Sequence, residues 1–153
     1  PFRSCAQRTA AARNVNRGDP TAMPTNPTSM PLRRILLVED EPTIAVTLGD
    51  DLEHAGFLVT CCRDGAEALR LLLVYEFDAV VTDLGLPGAD GRTVLRAAKG
   101  RQPLAPVLVI SSDIAAETAV RAQGADGFVA KPFANATVLG WLHARGRWRD
   151  RIA

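Results

Sequence analysis

Four apolar runs in this chain each end on residues that handle charge or phosphate. "ILLVED" ends on Glu39 and Asp40, "VVTD" on Asp83, "PVLVISS" on Ser111 and Ser112, and "GFVAK" on Lys131. A lone Asp behind an apolar run ordinarily caps a turn or the next helix. Four such ends agreeing carry more weight than one. Three carboxylates gathered in one place repel one another, and a bound divalent cation relieves that repulsion. Hard oxygen ligands on a partly open site favour Mg²⁺. A lysine opposite the acids and a hydroxyl beside them are what a phosphoryl group needs.

Whether these residues meet depends on the elements that carry them. "RILLVED", "FLVTCC", "FDAVVTD", "PVLVIS" and "GFVAK" read as five strands, several of them continuous apolar runs of the kind buried on both faces. Helical patterns separate them. "PTIAVTLGDDLEHAG" has Pro42 near its first turn, Ile44, Leu48, Leu52 and Ala55 at helical spacing, and Gly56 as its stop. "DGAEALRLLLVYE" follows with Asp64 as its cap. "GRTVLRAAKG" is the third helix, with Asp90 and Gly91 as turn residues before it. "DIAAETAVRAQGA" is the fourth, capped by Asp113 and ended by Gly124, and "NATVLGWLHARGRWRDR" is the last. Strict strand–helix alternation predicts an α/β fold, a parallel sheet covered on both faces. Ligands of such sheets bind outside the carboxyl ends of the strands, where all four polar ends fall.

The 153 residues are 47% hydrophobic and 23% charged, enough for one buried core. No apolar run approaches the ~20 residues that span a bilayer, so no membrane association is expected. Residues 1–30 hold four arginines and a single acid, which leaves 14 basic and 16 acidic residues from Pro31 onward, a net of −2. A mildly acidic folded part argues against a nucleic-acid partner. The Pro-, Thr- and Asn-rich stretch at 1–31 reads as a disordered or loosely packed extension without a secretory signal, and Met30 is a candidate translation start. Its arginines give it only a weak likeness to a transit peptide. Cys5, Cys61 and Cys62 match no zinc spacing and read as reduced thiols of a cytoplasmic protein, Cys61 and Cys62 on opposite faces of a strand. His54 and His143 suit solvent-facing helix positions.

"ILLVEDE", "VVTDLGLPGADG", "PVLVISSD" and "GADGFVAKPF" resemble the four signature segments of response-regulator receiver domains of two-component signalling, over residues 32–148, with 149–153 left as a tail. The resemblance implies a flavodoxin-like, doubly wound sheet of five parallel strands in the order 2-1-3-4-5. It makes Asp83 the phospho-acceptor, Asp40 a direct Mg²⁺ ligand, Glu39 a ligand through water, and Gly85 a ligand through its backbone carbonyl. Lys131 would balance the phosphoryl charge, its bond to Pro132 cis. Ser111 and Phe128 would form a switch that alters the surface of the fourth helix, fifth strand and fifth helix. The implied partners are a histidine kinase or histidine phosphotransfer protein and an unidentified downstream protein, with homodimerisation on phosphorylation left open. The only activity implied is self-phosphorylation and self-dephosphorylation.

Some features depart from that pattern. Gly85 offers no side chain where many receivers carry one near the phosphoryl group, Arg92 stands where an apolar residue is common, and the stretch between Ser111 and Lys131 is a residue or two short. A Mg²⁺-dependent aspartyl phosphatase of the haloacid dehalogenase type needs a second acid two residues after the nucleophile, and that position is Gly85. A flavin-binding flavodoxin needs a hydroxyl-rich phosphate loop where this chain has "EDEPT". The last arginines, Arg145, Arg147, Arg149 and Arg151, scatter around a helix and read as a solvated end. The expectation is a stand-alone receiver, with a receiver piece of a longer regulator or hybrid kinase as the alternative.

Overall fold

Five short strands of valine, isoleucine and leucine occupy the centre of the molecule because each is apolar on both faces. The computed structural model describes residues 34–145. The expectations for 1–31 and 149–153, the outer ends of the 32–148 span, Cys5, Met30, Arg147, Arg149 and Arg151 lie outside the described residues. The order is β1 (Arg34–Val38), α1 (Pro42–His54), β2 (Leu58–Cys62), α2 (Gly65–Val74), β3 (Ala79–Asp83), α3 (Gly91–Arg101), β4 (Val107–Ser111), a 3-10 turn (Ile114–Ala116), α4 (Glu117–Ala122), β5 (Gly127–Ala130) and α5 (Asn135–Arg145). All strand pairs are parallel, in the order β2-β1-β3-β4-β5. This is the expected doubly wound sheet.

Strand alternation divides the core into two layers. Leu36, Val38, Val80, Val107 and Val109 face α2, α3 and α4, meeting Leu72, Leu95 and Val120. Ile35, Leu37, Val81, Leu108 and Ile110 face α1 and α5, meeting Leu48, Leu52, Val138 and Leu142. Every residue of β3 and β4 is buried, whereas β2 and β5 at the sheet edges are only partly so. The polar ends are therefore presented on one rim by the most deeply buried strands.

Local chemistry sets most helix limits. Pro42 opens α1, and Gly56 follows its end. Asp64 caps α2, its Oδ1 accepting from Ala66 N at 2.7 Å and Glu67 N at 3.1 Å. Three expectations need correction. The buried stripe of α1 is Ala45, Leu48, Gly49 and Leu52, with Ile44 only half-buried and Ala55 exposed, because the helix turns its smaller residues toward the sheet. The fourth helix is a 3-10 turn followed by only six α-helical residues. Asp113 stands at the head of that turn, but its side chain makes no capping bond. His54 and His143 are exposed as expected, although His143 also stacks on Phe57 with ring centroids 5.5 Å apart.

Asp90 is more than a turn residue, because it caps α3. Its Oδ1 accepts from Thr93 N at 2.8 Å and from the Thr93 hydroxyl at 2.9 Å. The backbone bond first, and then the hydroxyl, hold its pKa below the ordinary 3.8. A lowered carboxylate pKa contributes stability above about pH 3.8, and that stability is lost as pH falls through the folded value. Asp90→Ala is expected to cost about 1 kcal/mol at neutral pH. Urea unfolding at a series of pH values should show the gap to the parent narrowing on the acid side.

Candidate functional site

The carboxyl rim of the sheet gathers the polar ends onto a few contacts. Asp83, the last residue of β3, holds Gly85 N–H on Oδ1 at 3.2 Å and the Lys131 ammonium on Oδ2 at 2.8 Å. Lys131 follows β5, two strands away, and its backbone N–H donates to Ser111 O at 2.9 Å. The Lys131–Pro132 peptide is cis. The same ammonium stands 2.9 Å from Glu39 Oε2. Glu39 immediately follows β1 and is 0% exposed. Its Oε1 accepts from Glu41 N–H at 3.0 Å, while Oε2 is ion-paired with the ammonium.

Burial raises the Glu39 pKa above the ordinary 4.5, and the neighbouring Asp83 charge adds to the rise. Lys131 and the Glu41 N–H offset it only in part. Burial acts to lower the Lys131 pKa, but hydrogen bonds and charge from Asp83 and Glu39 outweigh it, so the ammonium stays protonated.

Glu39, Asp40 and Asp83 each offer a carboxylate oxygen, and the three oxygens lie within 4.8 Å of one another. One ammonium faces three acids, so the cluster is short of positive charge. The all-oxygen donor set and the excess of acids over the single ammonium fit a hard divalent cation such as Mg²⁺. Asp40 is partly exposed and would face the open side. Gly85 lies two residues beyond Asp83, outside the left-handed region, and a side chain there would meet no atom within 4 Å.

Ser111 ends β4 and is buried; its Oγ accepts from Asp113 N–H at 3.0 Å. Phe128 pairs with Val109 across β4 and β5 and packs half-buried against the α2–α3–α4 layer. Ser111, two residues beyond Val109, points to that same face. Ser112 and Asp113 are exposed, and Arg92 is half-buried. Two further contacts at this rim were not legible in the sequence. Arg63 Nη2 donates to Asp40 O at 3.1 Å, and Gly65 N–H donates to Pro87 O at 2.9 Å.

Asp40 adds charge to the cluster without touching the ammonium. Asp40→Asn is therefore expected to stabilise the metal-free protein by ~0.5–1 kcal/mol at low ionic strength. Thermal melts with and without Mg²⁺ check this: the gain should shrink with added salt, and the rise in Tm expected for the parent on adding Mg²⁺ should disappear.

Comparisons with known proteins agree with this arrangement. Residues 35–142 match the family model described as the response regulator receiver domain. The chain is 37% identical over 113 residues to the transcriptional regulatory protein QseB of Escherichia coli O157:H7, covering 72% of this chain and 52% of QseB. It is 33% identical over 113 residues to the cell cycle transcriptional regulator CtrA of Caulobacter vibrioides, covering 72% of this chain and 49% of CtrA. The chain thus spans about half the length of these relatives. A response regulator receiver protein from Sinorhizobium medicae superposes with a TM-score of 0.70 at 33% identity, covering 79% of this chain and 99% of that one. The receiver domain of the sensor histidine kinase PA1611 of Pseudomonas aeruginosa, solved with a magnesium ion coordinated in its active-site cleft, superposes with a TM-score of 0.68 at 26% identity, covering 74% of this chain and 98% of that one. With a family match over most of its length and the expected strand order, this chain belongs to the response regulator receiver domains of two-component signalling.

Proposed function

We propose that the chain is a phosphorylation-dependent switch in which Asp83 accepts a phosphoryl group from a histidine of a kinase or histidine phosphotransfer protein. The observation that carries this reading is the Asp83 carboxylate, held at the rim between Gly85 N–H and Lys131 and next to two further acids. An Asp83 oxygen forms the new bond to phosphorus as the bond from phosphorus to the donor nitrogen breaks. Lys131 keeps its proton and balances the charge gathered on the phosphoryl oxygens. Glu39, Asp40, Asp83 and the Gly85 carbonyl would hold Mg²⁺, which when bound supplies positive charge to the transferring group. Self-phosphorylation and self-dephosphorylation are the only activities this reading includes.

Ser111 and Phe128 then carry the signal. The Ser111 hydroxyl would turn toward the phosphoryl oxygens, and Phe128, on the same face, would move into the space it leaves. The result is an altered surface of α4, β5 and α5, read by a partner. Phe128 has no hydroxyl, so its part rests on packing alone. The names of the relatives and the half-length match favour a second reading, in which this receiver serves a longer transcriptional regulator. Reading the complete coding region from which the chain derives separates it from a stand-alone receiver. The cytoplasm suits such a protein, and no described helix is long and apolar enough to cross a membrane.

Incubation with acetyl phosphate or phosphoramidate plus Mg²⁺ should add one base-labile phosphate, seen by intact mass, and Asp83→Asn should abolish it. Labelling of that variant at the parental rate would assign the acceptor elsewhere. Gly85 presents no group that could hold an in-line water, so the phosphorylated form is expected to decay more slowly than receivers with an amide at that position. The open space beside Gly85 admits Asn without displacing a neighbour. Gly85→Asn should therefore speed the decay several-fold at unchanged Mg²⁺ affinity. Equal or slower decay would show that another group governs the water.

A further inference from the structure

β2 lies at the edge of the sheet and pairs only with β1, yet the turn that follows it touches the loops after both β1 and β3. From Arg63, the Nη2 reaches the Asp40 carbonyl at 3.1 Å. From Gly65, the backbone N–H reaches the Pro87 carbonyl at 2.9 Å. Asp64, between them, turns its carboxylate to the first N–H groups of α2, and Gly88 packs against that carboxylate. Three consecutive residues thus join the loop that carries Asp40 to the loop that begins at Leu84 and carries Gly85.

The fit leaves no room for side chains. A Cβ at Gly65 would overlap the Ala89 carbonyl oxygen, and one at Gly88 would overlap Asp64 Oδ1. Gly88 also has φ +80°, a conformation that favours glycine. At the near end of the same loop, Gly91 N–H donates to Leu84 O at 2.9 Å, and Gly91 lies against the Asp83 carbonyl. The loop is therefore pinned where it leaves β3 and again where it passes α2. β1 and β3 pair directly as far as Val38 and Thr82, but Asp40 and Gly85 lie beyond that last pair, where contacts between loops act on their spacing.

We propose that Arg63, Asp64 and Gly65 form a positioning clamp that sets the spacing of the two loops and thereby the affinity of the acidic cluster for Mg²⁺. None of the three touches the cluster's carboxylates; they act through the Asp40 and Pro87 carbonyls. The inference rests on the metal-dependent reading of the site. Its effect falls on cation binding and not on the transfer step, because Asp83 is the last residue of β3 and its bond to Lys131 lies outside the clamped loops.

The test uses the full chain in three variants. Gly65→Ala drives a methyl into the Ala89 carbonyl without altering charge. Arg63→Met removes the hydrogen bond while keeping the side chain's bulk, and Arg63→Lys keeps a donor and its charge. Mg²⁺ titration followed by the amide NMR shifts of Asp40 and Gly85 should show binding weakened about tenfold in Gly65→Ala and about threefold in Arg63→Met, and near parental in Arg63→Lys. At saturating Mg²⁺, labelling by acetyl phosphate should return to within about twofold of the parental rate. If Gly65→Ala fails to fold, the Arg63 pair decides. Parental Mg²⁺ affinity in a folded Arg63→Met would overturn the clamp, and so would weakened affinity that Arg63→Lys does not restore. Loss of labelling in these variants even at saturating Mg²⁺ would overturn the separation of binding from transfer. If the parent shows the expected affinity changes but no labelling at Asp83, the clamp stands and the proposed acceptor fails.

Discussion

The Lys131 ammonium holds the functional rim together. It leaves the end of β5, an edge strand, and stands within 3 Å of carboxylates from β3 and from the residue after β1. Glu39 is wholly buried, and a carboxylate taken out of water is costly unless a cation accompanies it. The strand order brings that cation across two intervening strands, and the Lys131 N–H to Ser111 bond fixes the backbone that delivers it. Without the lysine, the first and third strands would present two acids to each other with nothing between them.

Even so, the ammonium does not balance the site. Three carboxylates gather where only two meet the ammonium, and the proton affinity of buried Glu39 is raised. Elsewhere among the described residues ordinary rules hold: Asp64 and Asp90 cap the starts of α2 and α3, strands alternate between two apolar layers, and both layers are closed by helices. Local conflict confined to one rim of an otherwise consistent fold is what a site kept for function looks like. Stability lost there is supplied by β3 and β4, which are buried along their whole length.

The loops at the rim inherit their geometry from different sources. Lys131 and Asp83 are placed by strand ends, and their separation follows from parallel pairing through β4. Asp40 and Gly85 lie beyond the strands and depend on contacts between loops. The turn after β2 supplies those contacts from the sheet edge, using backbone groups and one guanidinium.

The sequence by itself determined the α/β class, the strand count, the cap at Asp64 and the convergence of Glu39, Asp40, Asp83, Ser111 and Lys131, whereas the cap at Asp90 appeared only as a turn residue. Each of these follows from patterns within a few residues, apolar runs, helical spacing and capping, combined with the rule that parallel strands share one carboxyl rim. The four signature segments supplied the strand order, which periodicity alone does not give. Tertiary structure decided the rest. The face α1 buries depends on how closely a helix can approach the sheet, so Ala45 and Gly49 displaced Ile44 and Ala55 from the expected stripe. The fourth helix is shorter than its pattern suggests, and at its head Asp113 bonds through its backbone N–H to Ser111 Oγ while its side chain caps nothing. Arg63 and Gly65 showed nothing in the sequence beyond an exposed cation and a residue after a cap. Their partners lie 23 and 22 residues away, and only the folded sheet brings the Asp40 and Pro87 carbonyls beside them.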